Sequence, residues 1–411
     1  MNKNNTLHLS LLLASMNLSA SFATSAHNTS PIAYFADKDH DAVIAFNPRT
    51  MQTIESISTH GHGPYPVDKT GENSVYVTTR NSQSVDVINN NDLSVYKTIS
   101  LPHYPRSVTY NKFNNLAIVS GVKKPVTSII DTSNHSLVAT VGNDHVVTPT
   151  DFGGGLATGH PYWVSPTQFL LLDRANRKLD LYSISQLGGE YKVNMTYSLP
   201  MPTSVHHIMA VPNASGWDKN IFYAIAEGSP NNGIAPAVVA FELSGEHLYH
   251  RQTLHLPVTN TNVKEMGAHH GAFHPDGKHI YLGSNEGITY VIDRVSMRVI
   301  STIETGKGNG HTTMNAQRMI AIATNHTDSF MTVIDLNTHT KVANIDVSEL
   351  ATSKTRKTQA HTSSFDPNNS RFFYTAASDD GRIIEIDLDT LSISREIELL
   401  GSYPIQGTFV W

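Results

Sequence analysis

Short stretches of alternating apolar and polar residues recur along the whole chain, and each ends in Asp, Asn, Glu or Ser just before a turn. The eight copies cover residues 43–47, 85–89, 127–131, 179–183, 238–242, 289–293, 331–335 and 383–387. Their ends are separated by 42 to 59 residues, and three of the seven steps are 42 residues long. Alternation of period two is the pattern of a β-strand, so the chain is predicted to repeat one β unit eight times.

Each repeat holds further strand-like stretches on both sides of this one. Residues 75–79 and 372–376 illustrate the preceding strand, which is rich in small and aromatic residues, and residues 95–99 and 299–303 illustrate the following one. Helical periodicity is almost absent from the chain. Four short strands fit into each unit, and four-stranded sheets repeated around an axis form a β-propeller. The predicted fold is therefore an all-β, eight-bladed β-propeller.

The two ends of the repeating region are predicted to complete one blade together. Residues 32–36 already have the pattern of a second strand, and the matching first strand occurs only at residues 406–411. Pairing of these two strands would close the ring and leave no open sheet edge. Seven blades is the alternative, if the terminal unit pairs otherwise.

The N-terminus has the pattern of a secretory signal peptide. Lys3 precedes an apolar stretch at residues 7–16, and small residues follow up to position 26. We therefore assign residues 1–26 to the signal peptide and residues 27–411 to a single propeller domain. The apolar stretch is too short to span a membrane, and no later stretch is long enough. The mature protein is expected in the periplasm, without membrane insertion and as a monomer.

Composition narrows the chemistry further. The 411 residues carry a formal net charge of −6 and only 16% charged residues, which gives no reason to expect a nucleic acid partner. There is no cysteine, so disulfides, thiolate metal sites and covalently attached c-type haem are excluded. Histidine is abundant, with 22 copies.

Five of the histidines stand at equivalent places in the repeat. They are His160, His206, His269, His311 and His361, and all but His311, which follows by alignment, lie six residues before a proline. Equivalent positions of a propeller surround one axis, so these imidazoles are expected to converge where the first strands enter the central channel. His62 and His103, about two residues upstream of the aligned position, are second choices. His135, His247, His250, His255 and His279 are expected at the surface.

Converging imidazoles suggest a transition-metal site. Histidine is the usual ligand for zinc and copper where cysteine is absent, and three or four ligands suffice. Zinc is the expected metal and copper the alternative. Alternation along a strand should let only one residue of each adjacent pair face the channel, and alignment favours His206 over His207 and His269 over His270. Because only neutral imidazole binds metal, affinity should fall below about pH 6.5.

Several stretches resemble known proteins. The repeats are similar to YVTN-type propellers. Residues 34–46, 63–89, 206–241 and 267–273 resemble the periplasmic zinc metallochaperones that serve zinc-uptake ABC transporters. That resemblance implies zinc binding by channel histidines and delivery of the ion to a periplasmic solute-binding protein. The family also carries a loop dense in His and Asp, whereas residues 142–158 contain only one histidine.

A histidine-ligated copper or zinc metalloenzyme of the oxidase or reductase type is the alternative function. A histidine-ringed propeller channel also resembles the catalytic domain of nitrous oxide reductase. Catalysis would need an acid or base near the metal, and Asp37, Asp39, Glu265 and Asp379 are candidates. A non-covalent haem site or a pure interaction surface ranks below these two, because either would leave the aligned histidines unexplained.

Overall fold

A computed structural model describes residues 30–71, 73–147, 155–257, 266–349 and 358–411. The predicted signal peptide and Glu265 lie outside these residues. The strands form eight four-stranded antiparallel sheets around a common axis. The predicted eight-bladed propeller is therefore confirmed.

The blades are numbered along the chain, and the four strands of each blade are given from the innermost strand outwards. Blade 1 contains β32 (Pro404–Val410), β1 (Ile32–Asp37), β2 (Ala42–Asn47) and β3 (Gln52–Ser58); blade 2 contains β4 (Pro64–Lys69), β5 (Ser74–Thr79), β6 (Ser84–Asn89) and β7 (Val95–Ser100); blade 3 contains β8 (Pro105–Asn111), β9 (Leu116–Gly121), β10 (Val126–Asp131) and β11 (Ser136–Gly142); blade 4 contains β12 (Tyr162–Ser165), β13 (Gln168–Asp173), β14 (Lys178–Leu187) and β15 (Glu190–Pro200).

The remaining blades follow the same order. Blade 5 contains β16 (Val205–Ala210), β17 (Ile221–Ala226), β18 (Ala237–Ser244) and β19 (His247–His255); blade 6 contains β20 (Ala268–Phe273), β21 (His279–Ser284), β22 (Ile288–Asp293) and β23 (Arg298–Glu304); blade 7 contains β24 (Asn309–Asn315), β25 (Ile320–Asn325), β26 (Phe330–Asp335) and β27 (Thr340–Asp346); blade 8 contains β28 (Ser364–Phe365), β29 (Phe372–Ala377), β30 (Arg382–Asp387) and β31 (Ser392–Glu398). Two short 3-10 segments, Gly216–Asn220 and Pro230–Asn232, lie in blade 5. Among the described residues, no helix is long and apolar enough to cross a membrane.

The N- and C-terminal strands close the ring within blade 1, as predicted. β1 pairs with β2 on one side and with β32 on the other, with Ala33 opposite Phe409. Phe409 also packs edge-on against Phe35 and Phe46, at ring-centroid distances of 6.1 and 6.3 Å. Strand pairing and aromatic packing therefore both join the two ends of the chain, and the seven-bladed alternative is wrong.

Gly407 is the position where this closure is tightest. A Cβ atom added there would overlap the Tyr34 carbonyl oxygen of the neighbouring strand. Gly407→Ala is expected to destabilise the protein by about 1–3 kcal/mol, because the backbone must shift to admit the methyl group. Thr408→Ala, one residue further along β32, is the control and is expected to cost less. Urea unfolding of both variants checks this; equal midpoints would mean that the closing strands tolerate the displacement.

The innermost strands of neighbouring blades contact one another around the channel, as β32 contacts β4 and β20 contacts β24. Several of them are bulged close to their first residue, where the pairing register with the second strand shifts. The shift occurs between Val205 and His207 in β16, and between Asn309 and His311 in β24. These irregular strand starts carry the histidines described next.

Candidate metal centre

Eight histidine side chains meet where the innermost strands of blades 4 to 8 begin. This channel histidine cluster consists of His160, His206, His207, His269, His270, His311, His326 and His361. Neighbouring rings pack at centroid distances between 4.0 Å, for His206 and His269, and 6.5 Å, for His160 and His207. All five aligned histidines are members, and the contacts run without a break from His160 in blade 4 to His361 in blade 8.

Both residues of each adjacent histidine pair belong to the cluster. The His270 ring lies 4.9 Å from that of His206 and 4.3 Å from that of His311. His207 in turn lies 4.4 Å from His270. The expectation that strand alternation would admit one residue of each pair was wrong, because a β-bulge adds a residue to one strand and breaks the alternation there. In β20 the register shift falls between Ala268 and Gly271, so it includes both histidines.

Two groups of three donor atoms stand close enough to hold a metal ion. One group is His160, His206 and His270, and the other is His269, His311 and His326; in each, one ligand atom per residue lies within 4.8 Å of the others. A tetrahedral zinc ion with Zn–N bonds of about 2.0–2.1 Å needs its donors about 3.3 Å apart. Small side-chain rotations would close that difference. The cluster is thus large enough for one ion or two.

A buried carboxylate orients His206. Its Nδ1 lies 2.9 Å from Glu227 Oε1, and Glu227 also accepts a 3.0 Å hydrogen bond from Arg174 Nε. Both partners are about 1% exposed. With its Nδ1 hydrogen donated to the carboxylate, His206 presents the Nε2 lone pair. That atom is buried and has no hydrogen-bond partner. A carboxylate behind one ring nitrogen and an unsatisfied second nitrogen is the arrangement of a metal-binding histidine.

His326 is oriented in the same way by the main chain. Its Nδ1 lies 3.0 Å from the Gln359 carbonyl oxygen, so that Nδ1–H donates and Nε2 carries the lone pair. The ring fits only because residue 310 is glycine, since a Cβ there would overlap the imidazole. Sequence analysis did not select His326 as a ligand. It belongs to the second donor group.

Burial keeps four of the cluster histidines neutral. Desolvation, reinforced by the charge of Arg106, lowers the pKa of His160 well below 6.5. The pKa values of His206 and His270 are also lowered well below 6.5 by desolvation and then by neighbouring histidines, and burial lowers that of His207 to about 4. Neutral imidazole is the form that binds a metal, so these side chains need not lose a proton at neutral pH.

Blades 2 and 3 complete the ring with other side chains. The Tyr65 hydroxyl lies 3.1 Å from His361 Nδ1, and the Arg80 guanidinium stacks over the Tyr65 ring at 3.8 Å. Arg106 Nη2 lies 3.4 Å from His206 Nδ1, and Arg106 is 1% exposed. Positive charge therefore adjoins the cluster on this side, and Glu227 is the buried carboxylate that opposes it.

His62 and His103 do not join the cluster. His62 is exposed, and its Nδ1 lies 2.7 Å from Asp41 Oδ2. His103 is buried, but its ring contacts Ser128 Oγ at 2.8 Å and the Tyr104 carbonyl oxygen at 3.2 Å. Both precede the innermost strands β4 and β8, and their offset from the aligned position turns them away from the channel.

Of the carboxylates named from sequence, Asp37 is placed elsewhere and Glu265 lies outside the description. Asp37 accepts a 3.0 Å hydrogen bond from the Tyr403 amide and contacts His40 Nδ1 at 2.9 Å, so it belongs to the closure of blade 1. Glu265 falls outside the described residues. Among the described residues, Glu227 is a carboxylate that contacts the cluster. Sequence analysis missed it, because it follows the β17 strand and has no motif around it.

The fold and this site define a class: an eight-bladed propeller whose channel carries a histidine cluster suited to ligand binding. No protein-family model matches the sequence, and no curated protein matches it either. The YVTN resemblance therefore stays a prediction.

Solved structures show the same fold. The dihydro-heme d1 dehydrogenase NirN, in complex with DHE, is similar with a TM-score of 0.64 and 15% identity over 92% of this chain and 75% of that one. AztD from Citrobacter koseri is similar with a TM-score of 0.57 and 13% identity, over 92% and 98%. A putative 6-phosphogluconolactonase from Bacteroides fragilis has a TM-score of 0.54 and 13% identity, over 78% and 96%. At these identities the likeness concerns the fold alone.

Proposed function

We propose that this chain is a periplasmic metal-binding protein that holds a transition metal in the channel histidine cluster. Zinc is the proposed ion and copper the alternative. The observation that carries the proposal is the His206 site: Glu227 occupies Nδ1, and the buried Nε2 lacks a partner beside His160 and His270. Burying a polar nitrogen without a hydrogen bond costs about 1–3 kcal/mol, which a bound metal would offset.

The proposed ligands are His160, His206, His269, His311 and His361, together with His270 and His326. Zinc and copper both accept nitrogen ligands, and copper generally binds to them more tightly. His62 and His103, which the sequence offered as second choices, are not proposed as ligands, because their rings contact Asp41 and Ser128 instead.

We further propose that the ion is cargo, delivered to a solute-binding protein of a metal ABC transporter. The support is the resemblance of residues 206–241 and 267–273 to periplasmic zinc metallochaperones, together with the fold shared with AztD. The wide ring of spare histidines also favours transfer over catalysis, since an ion can exchange ligands stepwise across it.

The test is metal analysis of the mature protein purified from the periplasm without added metal, followed by zinc and copper titration. The expected result is stoichiometric metal in the wild type. His206→Ala/His270→Ala and His269→Ala/His326→Ala should each weaken binding at the donor group they disrupt by at least about 100-fold, because each leaves one ligand of three in that group.

His62→Ala and His247→Ala are the matched controls, since each removes an exposed histidine outside the cluster. Both should bind metal as the wild type does. A wild-type protein that binds neither zinc nor copper above pH 7 would contradict the proposal, and so would a folded cluster variant with unchanged affinity.

A second candidate is binding of a metal that arrives inside an anionic organic ligand. Arg80 and Arg106 add positive charge beside the histidines, and buried arginines commonly pair with carboxylates. The fold shared with NirN, whose structure contains DHE, points in the same direction. Visible absorption of the purified protein separates the candidates: a tetrapyrrole absorbs strongly there, whereas a histidine-bound zinc ion does not absorb.

A further inference from the structure

A second group of histidines lies at the other end of the strands, away from the channel histidine cluster. His274 and Asp276 occupy the turn between β20 and β21, and His279 is the first residue of β21. His339 occupies the turn between β26 and β27 of the next blade. We call these four residues the turn site. Five residues of strand, or ~17 Å, separate His274 from His269, so the turn site is distinct from the channel.

The donor atoms of the turn site are close together. One ligand atom each of His274, Asp276 and His279 lies within 4.8 Å of the other two. The His339 ring adds a fourth member, at centroid distances of 5.7 Å from His274 and 5.1 Å from His279. Three histidines and one carboxylate are a common ligand set for zinc and related divalent ions.

The main chain fixes the tautomer of His274. Its Nε2 donates a 3.1 Å hydrogen bond to the Leu336 carbonyl oxygen, and its Nδ1 accepts a 3.1 Å hydrogen bond from the Asp276 amide. The Nδ1 lone pair therefore faces Asp276, whose Oδ1 lies 2.9 Å away. Nδ1 is thus the atom of His274 that would bind a metal ion, in exchange for the hydrogen bond from the amide.

The other members are arranged to share the same ion. His279 Nδ1 lies 2.7 Å from Asp276 Oδ2, so Asp276 stands between two imidazoles. The Lys278 amide and the His279 imidazole both hydrogen-bond to Asp276 and hold its carboxylate in place. The Tyr281 hydroxyl contacts His339 Nδ1 at 2.6 Å and can accept its hydrogen, which would leave the lone pair at Nε2.

The turn site can be reached from solvent. The His274 side chain is 5% exposed, that of His279 19% and that of Asp276 31%. The ligands are thus fixed by burial on one side and reachable on the other. The sequence contains them as His-Pro-Asp-Gly-Lys-His, within one tight turn.

We infer that the turn site binds one divalent transition-metal ion, with zinc as the reference ion, through His274, Asp276 and His279, and with His339 as the fourth ligand. The ion would join blade 6 to blade 7, because His339 belongs to the neighbouring blade. This inference is independent of the proposed channel function.

The experiment measures zinc bound by the mature protein in the His206→Ala/His270→Ala/His269→Ala/His326→Ala background, where the channel is disabled. One zinc equivalent should remain, and its binding should raise the thermal unfolding temperature. His279→Gln and Asp276→Asn in that background should each weaken this binding by about 10-fold or more. His250→Gln, an exposed histidine on β19, is the matched control and should leave it unchanged.

The outcomes separate the two sites. Loss of all zinc binding in the channel-disabled protein, with its thermal unfolding still cooperative, would overturn the turn site and leave the channel proposal intact. A retained equivalent that is insensitive to His279→Gln would overturn it as well. Should the multiple variant not fold, His279→Gln in the wild-type chain must lower the zinc stoichiometry by one. Nitrogen-15 NMR showing His274 protonated at both nitrogens with zinc present would mean that a proton alone occupies the site.

Discussion

Glu227→Gln is expected to destabilise the protein by about 3–5 kcal/mol, because it leaves the buried Arg174 guanidinium without its counter-charge. Arg174 and Glu227 have side chains that are 0% and 2% exposed, so water cannot replace the lost carboxylate. The amide is nearly the same size as the carboxylate, and the effect is therefore one of charge and hydrogen bonding. Urea unfolding at pH 7.5 measures it.

The same substitution is expected to weaken metal binding by about 10- to 100-fold, since the carboxylate no longer holds the His206 ring. Glu385→Gln is the matched control: Glu385 is also buried and paired with an arginine, Arg395, but it lies on β30 outside the channel. It should destabilise less, because Arg395 is 41% exposed, and it should leave metal affinity unchanged. Unchanged stability and affinity in Glu227→Gln would show that the His206 tautomer is not set by this carboxylate.

The metal-free protein is expected to lose several kcal/mol of stability between pH 7.5 and pH 5. His160, His206 and His270 have pKa values well below 6.5 when folded, and those of His103 and His207 are about 4. Once unfolded, each titrates near 6.5. Below pH 6.5 the unfolded chain therefore binds more protons than the native protein, and stability falls by about 1.4 kcal/mol per pH unit for each such histidine.

The pH range of this stability loss follows from the same pKa values. Stability is complete above pH 6.5 and begins to fall as the histidines of the unfolded chain protonate. It continues to fall until those of the native protein protonate, which happens at about pH 4 for His207. Urea unfolding in chelator at a series of pH values measures the slope. His207→Gln should reduce the slope by roughly one proton. Constant stability from pH 7.5 to 5 would mean that the buried histidines protonate as freely as exposed ones.

The low pKa values of the buried histidines also change the pH dependence expected of metal binding. Sequence alone suggested that affinity falls through about pH 6.5, the value of an exposed imidazole. Burial shifts proton competition to lower pH, so the channel should retain metal in mild acid. The limit then becomes the stability of the metal-free fold rather than protonation of the ligands.

The eight blades, the closure by β1 and β32, and the meeting of five aligned histidines could all be predicted from sequence. A repeat that recurs every 42 to 59 residues leaves little freedom, because each blade must bury its strands against the next. Equivalent residues then occupy equivalent places, and His160 and His361 fall at one end of the channel for that reason.

The composition of the site depended on features that have no local sequence pattern. Bulges at the starts of β16 and β20 brought in His207 and His270, and the absence of a Cβ at Gly310 made room for His326. Glu227 reaches His206 from the end of another strand. His62 and His103 are near the aligned position, yet local hydrogen bonds turn them away.

The sequence by itself determined the architecture and the histidine-rich end of the channel, since both follow from periodicity along the chain. Only the tertiary structure decided which rings contact one another, which stay neutral, and that His279, expected at the surface, joins His274 and His339 from the next blade. The reason is physical: hydrogen-bond partners, desolvation and contacts between blades depend on distances between residues that are far apart in the chain. The repeat predicts the strand on which a residue lies, but it does not predict these distances.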